Sequence, residues 1–568
     1  METVPQVSQA MQTVLTTLAE EADATLHDTK RPDTAKFTAS TLVQTLVLGW
    51  LAHPDATVEQ LAQMAATVGV DVSPQAIDER FTLKTATLLR TVLLDSVQQV
   101  IASAPVAIPI LQRFTGVRVQ DSTTIVLPDA LADHAQGCGG GSEHHTAAAL
   151  KCGLQRDLLT GAYTQGDLAD GRAANQRLPL NHAPVPPGTL RLADLGFLDL
   201  KVLAALDADG AYFLSKLPSA ITLTDDPARA PEALLRFVRR LGPVAQWDGA
   251  VWVGQDHPLR ARLLVQAVPE SVATQRRRRI RADARRKGRT PSAVVLALAG
   301  WTILITNVPV AMLSLKEALV LAKIRWQIEQ IFKLWKSHGL VDEWRTANPF
   351  RILCEVYAKL VGMVFQHWCF LVGCWIYPDR SLVKAAQVVR DHALTLALAR
   401  GCRTRLAEAL TTIQRILRRI ARMNTRATHP NTLQLLLALT TEDAAGVPTV
   451  TARTQGKILY RCSGLMRVRT TKKKTPPRVR RRVPSTVSIP PLASMWSASA
   501  TMASVVARPR TWTMCRICLR GILSCSWRVA AIWATPALMS AFAWSGGGDG
   551  SGIGRDGASV GLAVAPSG

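Results

Sequence analysis

The sharpest change of pattern in the chain lies in residues 116–128, where Val117, Val119, Thr123, Thr124, Ile125 and Val126 crowd around one carboxylate, Asp121. Side chains branched at Cβ are restricted at χ1 and suit a pleated surface, so the run predicts a strand with an acid in its middle. A carboxylate in that setting is either a turn or cap residue or part of a site. Helical spacing precedes the run. Leu42, Leu46 and Leu51 recur at roughly helical intervals, and residues 1–105 read as helices throughout. Within them, Thr57 can cap a helix through Ala66, Gly69 permits a turn, and Ser73-Pro74 opens a second helix through Arg80. Such a helix-turn-helix either recognises DNA ends or is an ordinary helical hairpin.

After a Gly-rich loop at residues 137–141, residues 147–153 and 158–163 predict two strands joined by a turn at Arg156-Asp157. A short apolar run at residues 190–195 is interrupted by Asp194. Residues 216–313 hold strand-like runs at 250–253, 261–268 and 294–306 and one basic segment, which predicts a β-rich insertion. Helical periodicity resumes at Leu315 through Leu340, continues over residues 352–375 and 381–423, and fades near Leu439. The expected class is α/β, divided at residues 1–105, 106–215, 216–313, 314–440 and 441–568.

The formal charge is +25, which points to a polyanionic partner. It is unevenly placed: residues 1–450 hold 49 Lys/Arg against 40 Asp/Glu, and residues 451–568 hold 18 against 2. Residues 444–548 contain no acid, yet carry five tryptophans without apolar periodicity, a composition expected of a disordered basic tail or of an altered reading frame. Ten cysteines without regular spacing, and an N-terminus holding Glu20, Glu21 and Asp23, predict a reducing cytoplasm. Residues 293–313 and 360–375 approach membrane-span length, but Asn307, Pro309, Gln366 and His367 interrupt them, so no membrane partner is expected. A phosphate-binding Gly-Lys-Ser/Thr loop and a dinucleotide fingerprint are both absent, which argues against an ATP-driven helper or an oxidoreductase.

Phosphodiester chemistry on DNA uses two divalent cations, and hard cations bind carboxylates. Asp121 in a strand, Asp194 at the end of another and Glu329 on a helix would suffice if they converged. Glu329 shares its helix face with Arg325, Phe332, Lys333 and Lys336. Cys138, His144, His145 and Cys152 match no common zinc spacing.

Three blocks carry a resemblance: Gln120-Asp121-Ser122-Thr123-Thr124, Ala193-Asp194-Leu195-Gly196-Phe197, and residues 324–337 with Arg325, Glu329 and Lys336. Together they resemble the DDE transposases of the insertion-sequence 4 family, whose signature is Tyr-x2-Arg-x3-Glu-x6-Lys. The signature's tyrosine falls on Ala322 in this chain. The resemblance spans residues 35–440 and implies a ribonuclease H-like catalytic core interrupted by the β-rich insertion, with a helical N-terminal domain. It implies two Mg2+ ions on Asp121, Asp194 and Glu329, with Mn2+ able to substitute. Arg325, Lys333 and Lys336 would orient terminal phosphates, and Trp301 would stack on a flipped base. The nine basic residues in 276–289, among them Arg276, Arg277, Arg278 and Arg279, would clamp the phosphate backbone. Implied partners are the element's ends and target DNA, met as a homodimer at the bacterial nucleoid. A catalytically decayed copy that only binds DNA is the alternative.

Overall fold

The computed structural model describes residues 3–26, 36–138, 146–242, 244–255, 258–423 and 432–444. The expectations for residues 445–568, and for His144 and His145, lie outside the described residues. The chain is mixed α/β. Its strands are β1 (Gly116–Leu127), β2 (Ala148–Asp157), β3 (Tyr163–Asp170), β4 (Thr189–Ala193), β5 (Tyr212–Lys216), β6 (Thr222–Thr224), β7 (Glu232–Ala233), β8 (Gln246–Val253), β9 (Leu259–Ala267) and β10 (Trp301–Thr306). They form one sheet in the order β3-β2-β1-β4-β5-β10-β9-β8-β6-β7. β1, β4 and β5 run parallel, and every other pairing is antiparallel. The strands of residues 216–313 therefore extend the first sheet across the β5–β10 seam.

Two local expectations shift. The turn after β2 falls at residues 158–162 rather than at Arg156-Asp157, because Asp157 ends the strand and its side chain holds the turn closed. Its carboxylate accepts from the backbone N–H of Val117, Leu159 and Thr160 and from the Thr160 hydroxyl. Gly161 then turns with φ +77°, where a Cβ would meet Leu371 and Trp375 at 2.5 Å. Residues 294–306 are likewise not one strand. Ser292 caps a short helix, Ala293–Leu298, through the N–H of Val295, and only then does β10 begin.

Upstream, Thr57 forms a reciprocal cap with Gln60 at the helix Val58–Thr67, Gly69 turns at φ +85°, and Ser73 caps Pro74–Asp78. These N-terminal helices gather around Pro349–Gly373, which packs against Ala39–Ala52, Leu83–Gln98 and Arg403–Ile420. Among the described residues this is the one helix long and apolar enough to cross a membrane, and its most apolar window is wholly buried inside the protein. Asn348 starts it by accepting from the N–H groups of Phe350 and Arg351. The periodic stretch from Leu315 is two helices, Leu315–Ile324 and Trp326–Ser337, broken at Arg325.

Candidate active site

Register alone brings two of the three acids together. Parallel β1 and β4 pair from Gly116 with Thr189 to Gln120 with Ala193, so Asp121 and Asp194 are the next residue on each of two neighbouring strands, about 4.8 Å apart. Past Gln120 the β4 side of β1 is open. The helix Trp326–Ser337 packs on β1 there, and Lys336 fixes it by donating to the Thr124 carbonyl at 2.7 Å. Glu329 lies in the first turns of that helix.

One guanidinium joins all three carboxylates. Arg325 Nη1 lies 2.7 Å from Asp121 Oδ2, and Nη2 lies 2.7 Å from Glu329 Oε1 and 3.6 Å from Asp194 Oδ1. The break between the two helices places Arg325 where it can face both ways. Burial pushes the Asp121 carboxyl above its ordinary range, with Arg325 and the Ser122 N–H pulling against that and Asp194 adding to it. Burial alone would lower Arg325, but Asp194, Asp121 and Glu329 outweigh it and the guanidinium is raised. Lys216, at the end of β5, stands 4.0 Å from Asp194. Three carboxylates thus face one close cation and one distant one, which leaves negative charge in excess. Oxygen donors of this type are those a hard divalent cation takes, but with Arg325 between them no group of three or more acids, His or Cys among the described residues is placed to hold one.

The other predicted residues are placed less centrally. Lys333 sits over the Trp326 ring, 4.5 Å from its centroid, and no contact joins it to the acids. Trp301 opens β10. Leu304 pairs with Lys216, so Trp301 projects about 10 Å past it, on the sheet end that carries Asp194. The basic run is the helix Glu270–Arg286. Its first two arginines turn inward: Arg276 donates to the Trp301 carbonyl and the Thr302 hydroxyl, and Arg277 donates to the Leu296 carbonyl and Glu270. Arg278 and Arg279 are exposed, as are Arg281, Arg285 and Arg286.

Lys151, Gln155, Asn175, Asn181 and Arg191, which support the site, carry no sequence signal of their own. The Ser122 hydroxyl and the Lys151 ammonium both donate to Asn175 Oδ1, and a Cβ on Gly196 would meet the Asn175 amide at 3.0 Å. Beneath the acids, buried Gln155 donates to Gln120, Gln120 donates to Asn181, and Arg191 donates to the same Asn181 oxygen at 2.7 Å. These bonds tie down the strand ends from which Asp121 and Asp194 project, although Arg191 Nε is buried without a partner.

Residues 112–363, which contain all three acids, match a family model described as a transposase DDE domain. Over those residues the chain is similar to the DDE transposases. It is similar to the transposase for insertion sequence element IS231F of Bacillus thuringiensis subsp. israelensis, 25% identical over 394 residues that cover 64% of this chain and 80% of that protein. It is also similar to the transposase for insertion sequence element IS1151 of Clostridium perfringens, 24% identical over 332 residues, 54% of this chain and 69% of the relative. The DDE transposases are metal-dependent enzymes that cleave DNA, and the matched residues include the three acids gathered by Arg325.

Proposed function

We propose that the chain binds the inverted-repeat ends of a mobile element and catalyses their cleavage and strand transfer, with Asp121, Asp194 and Glu329 as the catalytic acids. The observation that carries the reading is their convergence, from β1, from the end of β4 and from a helix 130 or more residues later in sequence, onto one guanidinium. In this reading β1 to β5 and the helix Trp326–Ser337 are the ribonuclease H-like core. Asp121, Asp194 and Glu329 would hold two Mg2+ ions, with Mn2+ able to replace them. When bound, such ions activate a water or 3′-hydroxyl and steady the leaving oxygen. Arg325 must release at least one carboxylate for a cation to enter, which frees guanidinium N–H groups to donate to a phosphate oxygen.

Lys336 keeps the catalytic helix seated on β1, and Lys333 and Arg325 present charge to the terminal phosphates. Trp301 and the basic helix anchored on its carbonyl lie toward the same end of the sheet as Asp194. A strand laid across that end would be stacked by the indole and held by Arg278 and Arg279, while Arg276 and Arg277 position the helix. Synapsis of two ends implies a homodimer on DNA in the bacterial nucleoid. The second reading, a decayed copy that only binds DNA, is motivated by Ala322, which is half-buried against the core where the family signature has a tyrosine.

The deciding experiment is cleavage and joining of a plasmid carrying the flanking genomic ends, in Mg2+, by the full chain and by Glu329→Gln. Cleavage and joining by the native chain that vanish in the Gln form support the enzyme; DNA binding without cleavage by either form selects the decayed copy.

A further inference from the structure

A cavity of about 420 Å3 lies beside the helix Trp326–Ser337, a quarter-turn or so round from Glu329. Its walls are mostly apolar, including Leu158, Leu334, Leu382 and Leu436, and no Asp or Glu is among the described residues that line it. A volume of this size is that of a small-ligand site.

One lining residue is out of keeping with the rest. Arg156, the penultimate residue of β2, is 1% exposed, and its Nε and Nη1 are buried without any hydrogen-bond partner. Asp157, the nearest acid in sequence, is already engaged by the Val117, Leu159 and Thr160 donors and ties down the adjoining turn instead. The indole of Trp375 covers one side of the guanidinium, 5.0 Å from its carbon to the ring centroid, and is itself held by donating to the Leu159 carbonyl. A cation–π contact leaves the in-plane N–H groups without acceptors. Buried guanidinium groups are ordinarily met by carboxylates, phosphates or carbonyls. Arg156 lines the cavity, its Nε and Nη1 closed off in this conformation so that a small shift of the side chain brings them to a ligand, and Lys333 and Arg380 add two further cations to the wall.

We propose that this cavity is a binding site for a small amphipathic organic anion, its acidic head on Arg156 and its hydrocarbon body against the apolar walls. The chemistry excludes a neutral hydrophobe as the preferred ligand, because that would leave the guanidinium unpaired, and excludes a cation by charge. It also separates this site from the catalytic acids, which attract cations. None of the three acids lines the cavity, and Lys333 is the one residue it shares with the proposed phosphate contacts.

The test uses the full chain with 8-anilinonaphthalene-1-sulfonate as fluorescent probe, and octanoate and octan-1-ol as competitors of equal length. Octanoate is expected to displace the probe at a concentration at least tenfold below that of octan-1-ol and to raise the melting temperature. Arg156→Met, which substitutes an apolar chain of similar reach, is expected to weaken octanoate by tenfold or more while leaving octan-1-ol unchanged. Leu382→Trp, which fills the cavity and spares Arg156, should abolish both effects and keeps the proposal testable if the first variant does not fold. Equal displacement by the acid and the alcohol, no displacement by octanoate, or full octanoate binding by either variant overturns it.

Discussion

Replacing Arg325 with alanine removes the group that holds three carboxylates together, and the size of the effect depends on how buried each partner is. Breaking a buried ion pair by deleting one member costs about 3–5 kcal/mol, because the remaining charge is left without compensation. Arg325 and Asp121 are 14% and 16% exposed and fall in that class, but Glu329 and Asp194, at 34% and 39%, are partly screened by water. Discounting for that screening leaves roughly 2–3 kcal/mol. For a chain of this size that is about 2–3 °C in melting temperature, read without divalent cations. Mg2+ should reverse the loss. A ligand at about a hundred times its Kd stabilises the folded state by ~2.7 kcal/mol, enough to erase the deficit, and in Arg325→Ala the cation no longer competes with a guanidinium for its ligands. The assay is thermal unfolding of both proteins across a Mg2+ titration. The variant should start lower and gain more. A variant that melts with the native protein in the absence of cation, or an equal Mg2+ response in both, refutes the account of Arg325 as the group that holds the three carboxylates and must release one for a cation to enter.

Three further outcomes are expected. Arg278→Ala, Arg279→Ala and Arg281→Ala together should weaken binding of all DNA sequences alike and lower the slope of log K against log salt by up to about 2.7, at roughly 0.9 per lost phosphate contact; an unchanged slope places the strand elsewhere. Lys359, buried and 2.7 Å from Glu355, also donates to the Leu340 and Glu343 carbonyls just after the helix Trp326–Ser337, so Lys359→Met should cost about 3–5 kcal/mol. In Glu355→Gln/Lys359→Met part of that loss should return, and a single variant with native melting would contradict it. Burial first, then Arg156, pushes His367 down to about 3, against the pull of its hydrogen bond to the Gly161 carbonyl. A lowered folded-state value means stability that is whole above the unfolded pKa near 6.5 and drains away as pH falls toward 3, at up to about 1.4 kcal/mol per pH unit. Unfolding free energies measured from pH 7 to 4 should fall more steeply for the native chain than for His367→Gln; parallel curves would count against a neutral buried imidazole.

Much of the site was legible along the chain because its chemistry rests on residue types at fixed offsets. Arg325, Glu329 and Lys336 share a helical face by periodicity alone, and Asp121 stands out as a lone acid among strand formers. The caps at Thr57 and Ser73 are expected from hydroxyls placed ahead of helical runs, and the structure bears them out. The end of β2 was not legible, since Arg156-Asp157 has the composition of a turn and only the long-range bond from Val117 to Asp157 shows why it is strand. Residues 294–306 misled for a related reason: a short helix and a buried strand are both continuous apolar runs, and length alone does not separate them.

Sequence by itself determined which groups can do chemistry, the faces on which Glu329, Arg325 and Lys336 lie, and the strands that carry the acids, because these depend on local propensity and helical or strand period. Tertiary structure decided that Asp121 and Asp194 stand side by side, through a parallel register spanning about seventy intervening residues. It also decided that Arg325 occupies the space between three acids, that Arg276 and Arg277 turn inward while Arg278 and Arg279 face solvent, and that Arg156 is left without a partner beside a cavity. Each of these is a matter of distance between residues remote in the chain, which period and propensity do not encode.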